Sequence, residues 1–327
     1  TALDKKIENV DIKINDPNQL VLFAKKEEVD LTIIGPEVPL SRGIVDIFLK
    51  NGLKVFGPKM EAAQLESSKD FAKSFMERHN IPTAKYKTFT NSSDAKVYIN
   101  EKGAPIVIKA DGLAAGKGVV VAMSIQEALS TVDSMLEDNL FGDAGARVVI
   151  EEYLTGEEVS FIVICDGNSI LPLASSQDHK RLLDLDLGPN TGGMGAYSPA
   201  PIVTPELHKK IMNEIIEPTI KGMQKDGIEF TGFLYAGLMI DKDNNIKTLE
   251  FNCRMGDPET QPILFRLKSD LFEILLAATN KNIKNYNTEW DNDSAITVVC
   301  ASENYPNQPK INDEIFIPNH NDHSYIF

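Results

Sequence analysis

Cysteine and histidine are scarce in this chain, and neither forms a metal-binding pattern. The three cysteines, Cys165, Cys253 and Cys300, lie far apart and form no C-x-x-C motif, and the five histidines form no H-E-x-x-H motif. Zinc frameworks need closely spaced ligands, so the sequence offers none. Few cysteines also suit a reducing compartment, and we therefore expect a cytoplasmic location.

Basic residues are also fewer than acidic residues, and long apolar runs are absent from the sequence. The chain has 33 basic and 48 acidic side chains, which gives a formal net charge of −15. This balance argues against nucleic acid or an anionic membrane as the main partner, but it permits a local basic pocket for phosphate. No apolar stretch approaches the roughly 20 residues that span a bilayer, and no signal-peptide pattern is present.

The remaining composition, 42% hydrophobic and 25% charged over 327 residues, is typical of a globular protein with two or three domains. Near the start, two apolar runs at 31–34 and 53–56 each follow a helical pattern and end in Gly-Pro. This order predicts a β-α-β unit with parallel strands in an open α/β domain. A helix is predicted next, at about 61–79. Because the chain starts without methionine and ends in an apolar run, we expect both ends to be incomplete.

The most informative stretch is 249–261, in which a strand ends in polar and charged residues. Side chains two apart in a strand point the same way, so Glu250, Asn252 and Arg254 are predicted to share one face. A carboxylate and an amide oxygen suit magnesium bound together with a nucleotide. The guanidinium of Arg254 could stabilise a phosphoryl or acyl-phosphate group. The alternative is a polar strand end whose charges are simply solvated.

A second candidate site is the glycine-rich turn between the apolar strands 105–109 and 119–122. The turn contains Gly112, Gly116 and Gly118 and is flanked by Lys109 and Lys117. Glycine lets backbone N–H groups approach phosphate oxygens closely. The spacing matches neither a Walker A motif nor G-x-G-x-x-G. An ordinary hairpin with a glycine turn is the alternative.

Two further segments are candidates for contacts with ligands. The strand ending in Glu151 and Glu152, followed by Tyr153, Leu154 and Glu158, could hold adenine and ribose, or its acids could be solvated strand ends. The glycine-rich segment 175–198 is predicted to be a long substrate loop, because loops of this length are usually functional or disordered. Within it, His179 could act as a general base or only as a hydrogen-bonding residue.

These segments together resemble the phosphoribosylamine-glycine ligase (glycinamide ribonucleotide synthetase) family of the ATP-grasp superfamily. The matching segments are 35–37, 109–118, 176–180, 188–199, 232–241 and 250–261. The resemblance implies an α/β protein with an ATP-grasp fold, in which two α+β subdomains clasp ATP. It places an N-terminally incomplete open parallel domain at 1–59, the ATP-grasp domain at 60–282 with a lid subdomain at about 105–165, and an incomplete β-rich domain at 290–327.

The resemblance also implies roles for individual residues. Those expected to bind ATP are Lys69, Lys109, Gly112, Gly116, Lys117, Gly118, Glu151, Glu152, Tyr153, Leu154 and Glu158. Those expected near glycine and the aminosugar are Glu37, Asp178, His179, Lys180, Asn190, Gly192, Gly193, Asp257 and Glu259. Glu250 and Asn252 are expected to hold Mg²⁺ or Mn²⁺, and Arg254 and Lys109 to act in catalysis.

The implied reaction belongs to purine biosynthesis. ATP phosphorylates the carboxylate of glycine, and the amino group of 5-phosphoribosylamine attacks the acyl phosphate, which yields glycinamide ribonucleotide, ADP and phosphate. Such a reaction needs no protein nucleophile, so positioning and charge neutralisation should supply most of the rate. The expected partners are these small molecules, without nucleic acid or membrane, and the expected state is a monomer or weak dimer.

Three departures from the family pattern are expected to matter to different degrees. The family's N-terminal strand and glycine-rich loop, which help bind the substrate's phosphate, are not found before Thr1. Met255 stands where Phe is common, and 236–239 lacks the additional carboxylate that many ATP-grasp enzymes carry. One alternative is another ATP-grasp carboxylate-amine ligase or a biotin-dependent carboxylase subunit, which the segment 188–195 disfavours. A second alternative is a nucleotide-binding module without turnover, which the intact Glu250, Asn252 and Arg254 disfavour.

Overall fold

The computed structural model describes residues 6–114, 118–138, 145–316 and 324–326. Its first unit contains α1 (Pro17–Lys26), β1 (Thr32–Ile33), α2 (Glu37–Ser41), α3 (Ile44–Lys50) and β2 (Val55–Phe56). The two strands pair in parallel, which confirms the predicted β-α-β order. Glu37 lies just beyond the carboxyl end of β1, where ligands bind in parallel α/β units.

The single helix predicted at about 61–79 is two helices in the structure. These are α4 (Gln64–Ser67) and α5 (Lys69–Arg78). Ser68 between them has extended backbone, and its side chain accepts a hydrogen bond from the Phe71 N–H as the N-cap of α5. Serine favours this position because its oxygen satisfies a free N–H of the first turn. Glu66 and Lys69 consequently flank the break.

Two four-stranded antiparallel sheets follow. The first sheet contains β3 (Tyr86–Phe89), β4 (Ile106–Ala110), β5 (Val119–Ala122) and β6 (Val148–Glu152), in the order β3-β6-β4-β5. Helices α6 (Ser92–Lys102) and α7 (Ile125–Leu136) pack against it around one apolar cluster. The predicted strands on either side of the glycine-rich turn, β4 and β5, are thus confirmed as an antiparallel pair.

The second sheet is buried on both faces. It contains β7 (Glu157–Asp166), β8 (Ile170–Pro172), β11 (Thr231–Ile240) and β12 (Ile246–Asn252), in the order β12-β11-β7-β8. Alternate residues of β7 enter two different cores, with Phe161 and Val163 in one and Ile162 and Ile164 in the other. This period of two explains why β7 reads as a continuous apolar run.

Helices surround the second sheet and complete its cores. They are α8 (Pro205–Ile211), α9 (Glu217–Lys225), α10 (Thr260–Arg266) and α11 (Leu271–Thr279), with a π-helical turn at 212–216 joining α8 to α9. Thr204 caps α8 through its hydroxyl, as its position before Pro205 predicts. Within the described part of the chain, no helix is long and apolar enough to cross a membrane.

The segment predicted as a long substrate loop is instead mostly a β-hairpin. Strands β9 (Gln177–Leu183) and β10 (Leu187–Ser198) pair antiparallel, and β13 (Ala295–Val298) adds to the other edge of β10. The pairing of β9 with β10 shifts register between Leu187 and Gly195. Such irregular pairing accommodates the many glycines of this segment. Because glycine disfavours a strand, the sequence pattern indicated a loop.

The predicted domain limits stay predictions. The first sheet, which contains the glycine-rich turn, includes β3, and β3 precedes the proposed lid range of about 105–165. Within that range, β7 pairs with β11 of the second sheet.

Candidate active site

A cleft between the two four-stranded sheets contains most of the residues predicted to bind ATP. It consists of two adjoining cavities of about 760 and 1200 Å³, measured with their openings to solvent. The side chains that line both cavities are Lys109, Val119, Glu151, Leu249, Glu250, Asn252 and Arg254. Because they come from β4, β5, β6 and the end of β12, both sheets contribute to one site.

The end of β12 presents its polar residues to this cleft. Glu250, Asn252 and Arg254 line it, whereas Phe251 and Cys253 are 2% and 1% exposed and belong to the core. The predicted alternation along the strand is thus confirmed.

Glu250 is surrounded by positive charge. Burial acts to raise its pKa, but the charges of Lys109, Lys180, Lys69 and Arg254 outweigh burial, so that the pKa lies below its ordinary value. Nearby cations favour the charged form of a carboxyl group. Glu250 is therefore an anion at neutral pH.

The Arg254 guanidinium is held by several neighbours. Its Nη2 lies 3.2 Å from Glu66 Oε1, and its Nε lies 3.7 Å from Glu37 Oε2. Its Nη1 donates a hydrogen bond of 3.1 Å to the Met255 carbonyl, and its Nη2 one of 3.5 Å to Asn252 Oδ1. These contacts orient the guanidinium at the cleft wall.

A buried network of charges fixes Lys109. Its Nζ lies 3.0 Å from Glu151 Oε1 and donates to the Leu249 carbonyl at 3.0 Å. The other oxygen of Glu151 lies 2.8 Å from Lys73 Nζ, which also donates to Thr83 Oγ1 at 2.7 Å. Burial lowers the pKa of Lys73 to about 8, although Glu151 acts against this shift. Glu151, predicted to line adenine, thus uses both carboxylate oxygens in ion pairs with lysines.

Lys69 begins α5 and reaches the base of the glycine-rich turn. Its Nζ donates to the Gly112 carbonyl at 3.1 Å, and burial lowers the pKa of this lysine. Gly118 lines the smaller cavity next to it. Gly116 and Lys117, the other predicted members of the turn, lie outside the described residues.

The larger cavity has an apolar wall to which the first sheet, β11 and β12 contribute. Its apolar members include Val107, Val119, Val121, Leu154, Met239 and Leu249. Tyr153 and Glu152, both predicted to contact ATP, also line it. Glu152 accepts hydrogen bonds from Lys247 Nζ at 2.6 Å and from the Lys85 N–H at 3.0 Å. Apolar walls with a few polar groups at the rim are typical of nucleotide and small-molecule sites.

β9 contributes charged residues to the larger cavity. Lys180 Nζ lies 2.8 Å from Glu158 Oε2 and 3.5 Å from Asp178 Oδ2. Burial raises the pKa of Asp178 to about 6, although Lys180 lowers it. His179, between them in sequence, is exposed and packs on Tyr197, with ring centroids 5.5 Å apart. Asp178 and Lys180 therefore line the cleft, whereas His179 points to the opposite face of the strand.

Residues of β10 and of the turn after β12 complete the cavity. Asn190, Gly192 and Asp257 line it. Gly193 has a φ of +126°, and a Cβ built on it would lie 2.4 Å from Pro258 Cδ. Only glycine permits this close approach, so Gly193 brings β10 against the turn rather than facing the cavity.

Glu259 lies at the bottom of this region, 2% exposed. Its Oε1 accepts hydrogen bonds of 2.8 Å from the hydroxyls of Ser160 and Tyr235. Burial and the negative charge of Glu259 raise the pKa of Tyr235 well above its ordinary value, so this hydroxyl keeps its proton.

A divalent cation is implied by the predicted family, and two residues of the cleft fit it. Glu250 supplies a carboxylate and Asn252 an amide oxygen. Among the described residues, no group of three or more His, Cys, Asp and Glu side chains could hold a metal ion alone. Magnesium often takes only one or two protein ligands beside waters and phosphate oxygens, so this donor set suits a cation bound with a nucleotide.

The sequence interpretation missed two charged residues of the cleft, Glu66 and Lys73. Burial raises the pKa of Glu66 to about 7, against the opposing effect of Arg254 and the Cys253 N–H. A signal existed, because Glu66, Lys69 and Lys73 are spaced by three and four residues within a segment read as one helix. This spacing places the three charged side chains on one face of a helix, and it would have indicated that they are neighbours.

Comparison with known proteins agrees with this geometry. Residues 1–66 match the N domain of phosphoribosylglycinamide synthetase, and residues 67–260 match its ATP-grasp (A) domain. A protein of Ralstonia nicotianae named phosphoribosylamine–glycine ligase is 62% identical over 328 residues, covering 100% of this chain and 77% of that protein. One of Neisseria meningitidis serogroup A with the same name is 59% identical, covering 96% and 74% respectively.

Solved structures agree as well. The crystal structure of phosphoribosylamine–glycine ligase from Thermotoga maritima superposes with a TM-score of 0.76 at 36% identity, covering 82% of this chain and 67% of that one. A biotin carboxylase of Campylobacter jejuni reaches a TM-score of 0.69 at 19% identity over 90% of this chain and 64% of its own, a likeness of fold alone. The predicted ATP-grasp fold is confirmed, and the chain belongs to the phosphoribosylglycinamide synthetase family of ATP-dependent ligases.

Proposed function

We propose that this chain joins glycine to 5-phosphoribosylamine through a glycyl phosphate, with release of glycinamide ribonucleotide, ADP and phosphate. One observation carries the proposal: Lys109, Glu250, Asn252 and Arg254 converge on a single cleft between two sheets. Relatives at 59–62% identity that bear the ligase name support this activity. The reaction itself explains why a cluster of cations surrounds an anionic Glu250.

The nucleotide is proposed to lie along the length of the cleft. Adenine suits the apolar wall with Val121, Leu154 and Met239, and Glu158, which lines the same cavity, is proposed to accept hydrogen bonds from ribose hydroxyls. The phosphates then reach Lys69 and Lys109, which line the smaller cavity. Because Glu151 and the Leu249 carbonyl fix Lys109, its charge is already in place before a phosphate binds.

Phosphoryl transfer is proposed to depend on charge and position. An oxygen of the glycine carboxylate attacks the γ-phosphorus, and negative charge shifts onto the bridging oxygen that leaves with ADP. Lys109 and Arg254 stabilise this charge, and no side chain forms a covalent bond. Glu250 and Asn252 would hold Mg²⁺ or Mn²⁺, which neutralises phosphate charge when bound. The chain's own residues orient the reactants and exclude water.

The second half of the reaction is proposed to occur next to β9 and β10. Asp178, Asp257 and Glu259 supply negative charge that suits the ammonium group of glycine. Lys180 and Asn190 face the same space and suit hydroxyl or phosphate oxygens of the aminosugar. The amine nitrogen attacks the acyl carbon, and phosphate leaves. The active state is proposed to be a monomer or weak dimer.

Two substitutions test the proposal. We expect Glu250→Gln and Arg254→Ala to keep the fold and lower kcat by roughly 100-fold or more, the usual effect of removing a group that stabilises transition-state charge. ADP release and glycinamide ribonucleotide formation would be measured with ATP, Mg²⁺ and both substrates, and with each substrate omitted. Glu273→Gln and Arg42→Ala, at exposed positions, are the matched controls. Unchanged turnover in either active-site variant would refute the assignment.

A further inference from the structure

Glu66 is a buried carboxylate, and both of its oxygens contact residues at the end of β12. Its Oε2 accepts a hydrogen bond of 2.7 Å from the Cys253 N–H, and its Oε1 lies 3.2 Å from Arg254 Nη2. The residue is only 9% exposed. One side chain from α4 thus holds both the main chain next to Arg254 and the guanidinium at the end of its side chain.

A purely structural role explains this arrangement poorly. Removing a carboxylate from water is costly, and a buried ion pair often stabilises a protein no more than apolar residues of similar volume. Burial indeed raises the pKa of Glu66, so the fold disfavours its charged form. An uncharged residue of similar volume would avoid this cost, so a carboxyl group with one oxygen on the guanidinium points to a role toward Arg254.

The other carboxylate near Arg254 cannot replace Glu66. Glu37 Oε2 lies 3.7 Å from Arg254 Nε, and its side chain is 30% exposed against 7% for Glu66. A longer and more solvated ion pair restrains a side chain less. Glu66, unlike Glu37, also accepts a hydrogen bond from the Cys253 N–H.

We infer that Glu66 is a positioning residue that holds Arg254 in the orientation needed for phosphoryl transfer. The inference rests on the proposed role of Arg254. When negative charge develops on the transferring group, the guanidinium is attracted toward it and away from the wall. Glu66 limits that movement from two points, so that the charge of Arg254 is already oriented when the transition state forms.

The test is a double-mutant cycle with Glu66→Gln, Arg254→Ala and the double variant. Glutamine keeps the shape of Glu66 and an oxygen for the Cys253 N–H, but it loses the charge that holds Arg254. We expect Glu66→Gln to lower kcat by roughly 10-fold, with KM for ATP changed by less than about 3-fold. In the Arg254→Ala background, the same change should alter kcat by less than about 2-fold, because residues that act as a unit are not additive.

Two further variants complete the design. Glu61→Gln, an exposed position just before α4, is the control and should leave kcat unchanged. Glu66→Asp keeps the charge on a shorter side chain, and its kcat should lie between those of wild type and Glu66→Gln. This variant also provides the test if Glu66→Gln does not fold, which circular dichroism and ATP binding would reveal.

The outcomes separate the two proposals. If Arg254→Ala is inactive but Glu66→Gln has wild-type kcat, or if the two effects multiply in the double variant, the positioning role of Glu66 is wrong and the role of Arg254 stands. If Glu66→Gln raises KM for ATP and leaves kcat unchanged, Glu66 serves nucleotide binding instead. If Arg254→Ala retains turnover, both the proposed role of Arg254 and the inference fail.

Discussion

Glu66 binds a proton more tightly in the folded protein than in the unfolded chain, because burial raises its pKa to about 7 from 4.5. Its contribution to stability is therefore complete at low pH and is lost as the pH rises through 7. Glu66→Gln removes this proton binding. We therefore compare the free energy of unfolding of the variant with that of wild type. The value for the variant minus the value for wild type should be about 2 kcal/mol larger at pH 8 than at pH 5.

Urea unfolding of both proteins at the two pH values would measure this difference. The same difference at pH 5 and pH 8 would contradict the assignment of the raised pKa to Glu66. Wild type and Glu61→Gln should behave alike, because Glu61 is exposed.

At this scale, the sequence predicts the face that β12 presents but not the partners of its residues. Glu250, Asn252 and Arg254 follow from the two-residue period of a strand alone. Glu66 could not be assigned to Arg254, because 188 positions separate them and no local pattern links α4 to β12. The role of Glu151 was likewise hidden, since its ion pairs with Lys73 and Lys109 depend on how α5 meets the first sheet.

Two elements approach each other closely where β10 meets the turn after β12. Gly193 has a φ of +126°, and an added Cβ would lie 2.4 Å from Pro258 Cδ and 3.2 Å from the Asp257 carbonyl. We expect Gly193→Ala to displace this turn and to lower the free energy of unfolding by about 2 kcal/mol through strain and overpacking. Because Asp257 and Glu259 move with the turn, KM for glycine should also rise.

Gly35→Ala is the matched control for this prediction. No atom lies within 4 Å of a Cβ built at Gly35, and its φ is not in the left-handed region. Denaturant unfolding and glycine titration would be compared across the two variants and wild type. Equal stability of Gly193→Ala and Gly35→Ala would show that the β10 contact is not restrictive.

Among the elements, those with a clear hydrophobic period were predicted well. The parallel pair β1 and β2 and the antiparallel pair β4 and β5 agree with the sequence patterns. The glycine-rich hairpin of β9 and β10 was predicted as a loop, because its strands gain their pairing from the rest of the fold and not from propensity. The break between α4 and α5 was missed because Ser68 lies within a continuous helical pattern.

Residues of both four-stranded sheets line the cleft, so a nucleotide that contacts both of these sheets should stabilise the folded state of the whole molecule. At 100 times its dissociation constant, a ligand that binds only the folded protein adds about 2.7 kcal/mol of stability. We expect ATP with Mg²⁺ to raise the Tm in a thermal shift assay and Lys109→Met to lose most of this rise. Lys225→Met, at an exposed helix end, should retain it.

An equal thermal shift in Lys109→Met and wild type would contradict the placement of the phosphates at Lys109. The Tm without nucleotide serves as the reference for each variant, because Lys109→Met also removes one ion pair of Glu151.

The fold and family of the whole chain were predictable because resemblance reaches across nearly all of it, from the loop at 35–37 to the stretch 250–261. The contact between the first sheet and β12 could not be predicted from the sequence. It depends on residues that lie far apart in the chain, such as Lys109 and Leu249. Met255, which stands where Phe is common in the family, packs against the apolar cluster that contains Ile162 and Ile164.

The central claim is that this cleft activates the glycine carboxylate by phosphorylation. Glycine labelled with ¹⁸O in its carboxylate would be converted with ATP and 5-phosphoribosylamine, and the released phosphate analysed by mass spectrometry. Attack of a carboxylate oxygen on the γ-phosphorus, followed by departure of phosphate from the acyl carbon, predicts one ¹⁸O in each phosphate. Phosphate free of ¹⁸O, formed at the same rate as glycinamide ribonucleotide, would contradict the account.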